Sequence, residues 1–519
     1  GYRAPDSIYD CHMNNDHSNG ASSIPTFQLI DVSDARPVHF IGIAGAGMSA
    51  LAELFVRRGA KVQGTDSNPA GAPDLTQLGI SVTEHDAKIV SRARAVVYSS
   101  AIPKTHPEMV AARELGIPLV RRAEALAEAV SGGTLVAIAG THGKTTTTVM
   151  TTEALASADR NPTGVVGGRV GRWNGNLRLG GNDTFVVEAD EYDRSFLALT
   201  STVAVVLNVE ADHLDIYADL ADIKTAFEKF IAPARYVVRC ADDEGAMSLR
   251  VDAAVEVVAY SATAPNEAPS INANDARVVA RDIGFTATGS AFRVFYDEKD
   301  LGVVELFVPG IHNIRNSLAA LSTGLVLGCD FGKMRDGLAQ FHGVERRFQK
   351  LTTASNAGSD AAGVTNARLL NVEVIDDYAH HPTEVAATIA AARAMYPRRR
   401  LVVAFQPHLY SRTNDLHQEF AAALSNADVI YLCHIYGARE QPVPGITSAL
   451  IGNLIPQNKL AWSGSRTEVA NALALGTKYN DVIITMGAGD ITKTGYELLE
   501  RFGLAANSAI EKLVDAQNA

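Results

Sequence analysis

The run Gly140-Thr-His-Gly-Lys-Thr145 places two glycines, a lysine and a hydroxyl within six residues. That combination is suited to phosphate. Backbone N–H groups of a glycine turn approach the anion, the lysine of Lys144 adds a point charge, and the Thr145 hydroxyl suits a magnesium ion. Ile138 stands where the longer G-x-x-x-x-G-K-[ST] pattern has its first glycine, so the loop is a shortened form. Glu188 ends a second apolar run and is followed by Asp190, Glu191 and Asp193. A carboxylate at the tip of a strand beside a phosphate loop is where a magnesium-holding group belongs. His213, in Ala211-Asp-His213, follows a third apolar run. It reads as a further metal ligand, with a plain structural histidine as the alternative. An imidazole would make the site less hard, so that manganese could serve beside magnesium.

These residues need strands to deliver them. Leu135–Ala139 is apolar and β-branched enough for a buried parallel strand, and a helix is expected after Lys144. Thr184–Glu188 and Val203–Leu207 read as neighbouring strands. Upstream, Val38–Ile43 reads as a strand, followed by Gly45, Gly47 and Ala50 in a G-x-G-x-x-A spacing and a helix to about Arg58. Asp66 lies 21 residues beyond Gly45, where a ribose-binding acid would fall. Taken alone, this unit suggests an NAD-dependent oxidoreductase, or tight strand–helix packing with no ligand. The βα pattern stops near Glu128, which is long enough for about a mononucleotide.

Ser131-Gly-Gly133 reads as a break before the phosphate loop. Residues 251–308 alternate short β-like runs with turns. Pro309-Gly310 then opens an apolar helix expected over Ser317–Leu327, where Asn313 and Asn316 would either cap the helix or read a purine edge. After a junction at Phe341–Phe348 and a Ser/Ala/Gly/Asn-rich insertion at 352–367, four more strands are expected. Val372–Ile375 runs into Asp376-Asp-Tyr-Ala-His-His-Pro-Thr-Glu384, and Leu401–Phe405 into Gln406-Pro-His-Leu-Tyr-Ser-Arg-Thr413. Val429–Leu432 and Val482–Thr485 complete a parallel α/β pattern. Polar residues after most strands point to a composite site along one sheet edge. His380 and His381, with Tyr378 and Arg412, read as an anion or carboxylate clamp, with a metal pair as the alternative.

The chain has 519 residues, 47% of them hydrophobic, which suits about three domains with sizeable cores. Net charge is −12, from 46 basic and 58 acidic residues, which argues against a nucleic-acid or membrane-surface binder. Cys11, Cys240, Cys329 and Cys433 are far apart and read as free thiols of a cytoplasmic protein. No apolar run is long enough for membrane insertion, and the first 36 residues are polar, without the pattern of a signal peptide.

Several motifs in order give the chain a resemblance to the Mur ligases, the ATP-dependent amide-bond ligases of peptidoglycan precursor synthesis. They are Gly-Ile-Ala-Gly-Ala-Gly-Met-Ser at 42–49, Ser-Ser-Ala-Ile at 99–102 and Gly-Thr-His-Gly-Lys-Thr-Thr-Thr at 140–147. Glu-Ala-Asp-Glu-Tyr-Asp at 188–193, Ala-Asp-His at 211–213 and His-Asn-x-x-Asn at 312–316 follow. Arg-Arg-Phe at 346–348 and the Asp376–Glu384 run complete the set. The glycine loop and the 406–413 run are most similar to members that join L-alanine to UDP-N-acetylmuramate; members that attach a recycled tripeptide come next.

The resemblance implies an α/β chain of three domains. After a disordered extension at 1–36 come a Rossmann-like UDP-sugar-binding domain at 37–131, a central P-loop ATPase domain with a mostly parallel sheet at 132–345, and a Rossmann-like amino-acid-binding domain at 346–519. It places Gly45, Gly47, Met48, Ser49, Asp66, His85, Ser99 and Ser100 around the UDP sugar. ATP would meet Gly140, Thr141, His142, Gly143, Lys144, Thr145 and Thr146, then Asn313 and Asn316, with Arg347 and Asp377 closing from the third domain. Thr145, Glu188 and His213 would hold magnesium, and Tyr378, His380, His381 and Arg412 the amino acid. Lys144, Glu188, His213 and Arg347 carry the expected catalysis, in a monomer or weak homodimer. Leu409 stands where alanine-adding members often carry a second arginine.

Overall fold

The computed structural model describes residues 28–214, 216–264, 268–270, 272–286, 288–352, 371–438 and 440–502. The insertion at 352–367 lies outside them apart from Thr352.

Three sheets carry the chain. The first has five parallel strands in the order Ser81–Thr83, Val62–Thr65, Val38–Ile41, Ala95–Tyr98 and Leu119–Arg121. Val38–Ile41 is buried along its whole length, as a central parallel strand must be. Its chain turns at Gly42, φ +73°, into the helix Ala46–Arg57.

The second sheet has ten strands. Its centre is parallel: Thr163–Val170, Thr184–Glu188, Thr134–Ala139, Val203–Val206, Tyr236–Cys240 and Glu256–Ala262 lie side by side. The β-like runs of 251–308 resolve into Val278–Thr286, Gly289–Tyr296 and Lys299–Leu306, which extend the sheet, the last two antiparallel. The third sheet orders Gln349–Lys350, Glu373–Asp377, Val482–Met486, Leu401–Phe405, Val429–Cys433 and Leu460–Gly464, with only the first strand antiparallel.

Cores are distributed unevenly. One apolar cluster runs through the first and middle domains, from Phe40, Phe55 and Val97 to Ala137, Phe185 and Phe227. The helix Ala46–Arg57 packs on the strands Thr163–Val170 and Gly175–Arg178. The C-terminal sheet has its own two clusters, one around Phe405 and Ile484, the other around Ile483 and Leu498. Gly133 is therefore not a loose linker: a Cβ there would come within 2.9 Å of the Asn182 and Asp183 carbonyls. Among the described residues no helix is long and apolar enough to cross a membrane.

Two expectations are corrected. The disordered extension expected over 1–36 does not hold for its last part. Leu29 is 1% exposed in the first-domain core, and the Arg94 guanidinium donates to the carbonyls of Gln28 and Leu29. The apolar helix begins at Ile311, not Ser317, and runs to Val326. Its first turns carry polar residues that face a pocket, so the apolar period misses them.

Candidate active site

The phosphate loop follows the strand Thr134–Ala139 and feeds the helix Lys144–Ser157. Two of its positions require glycine. Gly140 has φ +144° and Gly143 has φ +87°, where an added Cβ would stand 2.8 Å from Asn316 Oδ1. The loop is tied to the chain after the strand Val203–Val206. Asn208 Oδ1 accepts from the His142 N–H at 2.7 Å, and the Thr141 hydroxyl accepts from the Glu210 N–H at 2.9 Å.

Lys144 is folded onto a carboxylate. Its Nζ donates to Glu191 Oε1 and Oε2 at 2.9 and 2.8 Å and to the Gly140 carbonyl at 2.7 Å. Burial works to lower its pKa, but the charges of Glu191 and Asp190 outweigh it and keep the ammonium protonated. Sequence reasoning assigned a role only to Glu188 in this acidic run; the partner of Lys144 is Glu191. Asp193 and Arg194, which follow it, are left-handed.

Glu188 accepts from the Gly167 N–H at 3.0 Å and from the Thr145 hydroxyl. The bare Gly167–Gly168 backbone packs on both side chains; an added Cβ would stand 3.1 Å from Glu188 Oε2 or from Thr145 Cγ2. Burial pushes the Glu188 pKa up. Thr145 and Glu188 thus meet as expected, and their oxygen donors fit magnesium. His213 stands beside the partner of Lys144: its Nε2 lies 3.8 Å from Glu191 Oε1 and 3.8 Å from Asp212 Oδ2.

A cavity of about 1330 Å³ spans the first and middle domains. Gly45, Gly47, Met48, Asp66 and Ser99 line one end, and Glu188 and Asp190 line the middle-domain side. Asp66 holds the glycine loop, accepting from the Ala44 N–H at 2.9 Å. Ser49, Ser100 and His85 are not in this lining. His85 Nδ1 is drawn 3.2 Å from Glu108, a buried acid that also accepts from Thr65 and pairs with His39.

A second pocket, of about 240 Å³, lies on the other side of the loop and takes in His142, Gly143, Thr146, Asn313, Asn316, Arg347 and Asp377. The two asparagines are linked, Asn316 Nδ2 donating to Asn313 Oδ1 at 3.3 Å, while Asn313 Nδ2 donates to the Pro309 carbonyl at 2.7 Å. Asp377 accepts from the Phe348 and Ala379 N–H groups, and burial pushes its pKa up to about 6 against the pull of Arg347.

The expected amino-acid clamp is divided. The Tyr378 ring lies under Arg346 and Arg347, and His380 faces the His408 ring. His381 instead crosses to the phosphate loop, its Nδ1 3.1 Å from His142 Nε2. Arg412 is 8% exposed and donates to Asp212 Oδ1 at 2.7 Å. Glu384 is a hub that sequence reasoning quoted without a role. It accepts from the His380 N–H and from Arg347, and faces His142.

The comparisons with known proteins cover the same ground. The model for the Mur ligase family, catalytic domain, matches residues 37–134; the Mur ligase middle domain matches 138–324; the Mur ligase, glutamate ligase domain, matches 364–489. The chain is 38% identical to the UDP-N-acetylmuramate–L-alanine ligase of Salinibacter ruber over 92% of this chain and 97% of that protein. It is 41% identical to the enzyme of the same name from Acidothermus cellulolyticus, over 87% and 91%. Among solved structures, the UDP-N-acetylmuramate-alanine ligase of Thermotoga maritima superposes with a TM-score of 0.73 at 27% identity, covering 90% of this chain and 99% of that one. A murein peptide ligase from Psychrobacter arcticus shares the fold, with a TM-score of 0.62 at 22% identity over 91% and 100%.

Proposed function

The chain belongs to the Mur ligase family, and from that premise we propose that it joins L-alanine to the carboxylate of UDP-N-acetylmuramate at the expense of ATP, in peptidoglycan precursor synthesis. The observation that supports the site assignment is the large cavity. It begins at the first domain's glycine loop and reaches Glu188 and Asp190 beside the phosphate loop. A nucleotide sugar bound at the glycine loop would extend its carboxylate toward the γ-phosphate. A nicotinamide oxidoreductase has no use for that continuation, nor for the second pocket behind the loop.

The chemistry follows from the groups. A carboxylate is a poor acyl donor. One of its oxygens attacks the γ-phosphorus of ATP, ADP leaves, and an acyl phosphate results. The alanine amine then attacks the acyl carbon, loses a proton, and phosphate departs. We assign Lys144 to the charge on the transferring phosphoryl group, which requires it to exchange Glu191 for phosphate oxygens. The loop N–H groups hold the remaining phosphates. Thr145 and Glu188 would hold magnesium, which supplies neutralisation of phosphate charge. Asn313 and Asn316 would meet adenine, and Arg347 the phosphates from the C-terminal side. Arg412 would fix the alanine carboxylate and so orient the amine. This reading places the reaction in the cytoplasm, where ATP is held.

The test is phosphate release from ATP and magnesium with UDP-N-acetylmuramate, adding L-alanine, other amino acids or the tripeptide L-Ala-γ-D-Glu-meso-diaminopimelate in turn. Release that depends on L-alanine is expected. Release with the tripeptide alone would move the protein to the recycling reaction, and none with any acceptor would overturn the assignment.

A further inference from the structure

We propose that His142, His381 and Glu210 form a transition-metal site that takes zinc and fastens the C-terminal domain to the phosphate loop. The ligands come from two domains. His142 sits on the phosphate loop and Glu210 follows the strand Val203–Val206. His381 caps the helix Pro382–Met395 of the C-terminal domain.

Geometry carries the assignment. His142 Nε2 lies 3.1 Å from His381 Nδ1 and 3.6 Å from Glu210 Oε2, and His381 Nδ1 lies 3.7 Å from Glu210 Oε2. A triangle with these sides has its centre about 2 Å from each corner, which is the bond length zinc makes to imidazole nitrogen and carboxylate oxygen. Two nitrogens and one oxygen suit zinc and not magnesium. The oxygen-only pair Thr145 and Glu188 has the opposite preference, so the two sites would sort their ions.

The surroundings have the form of a metal centre's outer shell. Glu384 Oε1 lies 3.5 Å from His142 Nδ1, placing a carboxylate behind the imidazole. Glu384 is itself held by Arg347 at 3.2 Å and by the His380 N–H at 3.0 Å. The Thr383 hydroxyl donates to Glu210 Oε2 at 2.7 Å and orients it. His381 Nδ1 accepts from the Thr383 N–H at 3.4 Å, which leaves the ring proton on Nε2; the ion would take the Nδ1 lone pair in place of that long contact. Without a metal, the His142 ring proton occupies the space between the two rings, and the ion would displace it. The side chains of His142 and His381 are 12% and 7% exposed, while Glu210 at 29% leaves one side open for a fourth ligand.

The experiment titrates the metal-stripped full-length chain with cobalt(II), in the absence of ATP and substrates, and reads the visible absorption of four-coordinate cobalt. Wild type is expected to bind one equivalent that zinc displaces and millimolar magnesium does not. Glu210→Gln and His381→Ala are each expected to weaken binding by more than about tenfold. Thermal unfolding separates lost ligation from lost fold: at one zinc concentration the midpoint of wild type rises by more than that of a folded Glu210→Gln. Absence of a four-coordinate cobalt signal, or a signal retained in both variants, would overturn the site. Neither readout uses turnover, so the amide-ligase reading stands or falls separately.

Discussion

Arg412 Nη2 stands 2.7 Å from Asp212 Oδ1, so the arginine assigned to the incoming amino acid is already paired with a carboxylate of the middle domain. The Arg412 charge, with burial opposing, holds Asp212 well below the usual carboxylate range. On the proposed reading, Asp212 occupies the place of the substrate carboxylate. Arg412→Ala is expected to raise the KM for L-alanine about 10- to 100-fold, the scale of a lost charged hydrogen bond. Asp212→Asn is expected to lower that KM, because it removes the competitor. Steady-state kinetics with alanine as the varied substrate checks both; a KM unmoved in either variant would remove Arg412 from the alanine site.

Lys144 makes a second such pair. Lys144→Met is expected to lower kcat by about a thousandfold or more, as loss of a group opposing transition-state charge does. It also leaves Glu191 buried without its cation, at 4% side-chain exposure. That costs on the order of 3–5 kcal/mol of stability. Adding Glu191→Gln is expected to recover stability but not turnover, and denaturant unfolding beside phosphate release separates the two.

His142 gives stability a pH dependence. Burial works against its charge, yet Glu384 and Glu210 raise its pKa from 6.5 to about 9. The folded value exceeds the ordinary one, so this contribution is complete below about pH 6.5 and is lost as pH rises through 9. The shift corresponds to on the order of 3 kcal/mol. The thermal midpoint of the metal-stripped wild type is expected to fall between pH 7 and about 9.5, and Glu384→Gln to bring that fall to lower pH. Identical profiles for the two proteins would contradict the assignment.

Gly143→Ala tests the loop. At φ +87° a side chain is strained, and the new Cβ would meet Asn316 Oδ1 at 2.8 Å. ATP affinity, read by calorimetry, is expected to fall at least about tenfold, since 1.4 kcal/mol suffices and backbone strain of this kind costs about 1–3 kcal/mol.

Leu29 tests the edge of the first domain. A chain starting at residue 37 loses Leu29 and the Arg94 contacts and is expected to be less stable than one starting at 28. Leu29→Ala alone is expected to cost about 2–5 kcal/mol in denaturant unfolding.

Strand ends were legible because each chemistry-bearing run follows an apolar one, and parallel strands buried on both faces leave no ambiguity of face. Thr145 beside Glu188 follows from that layout. What could not be read depends on partners distant in sequence or on unusual backbone. His85 is claimed by Thr65 and Glu108, and Arg412 by Asp212, 200 residues away. Which acid of the 188–193 run faces Lys144 depends on irregular backbone that includes left-handed Asp193 and Arg194, conformations that neither residue type announces. The helix start at Ile311 was hidden because its first turns serve a pocket and lack an apolar period.

The apolar cluster shared by the first and middle domains has a calorimetric consequence. Elements that bury surface in one core lose it together, so those two domains melt as a single cooperative unit. The C-terminal domain has separate cores and meets the middle domain through polar contacts, His381 to His142 of the phosphate loop, Thr383 to Glu210 and Arg412 to Asp212. A chain of three sheets is therefore expected to unfold in two transitions, and added salt, which screens the polar seam but leaves the shared core intact, would move them further apart.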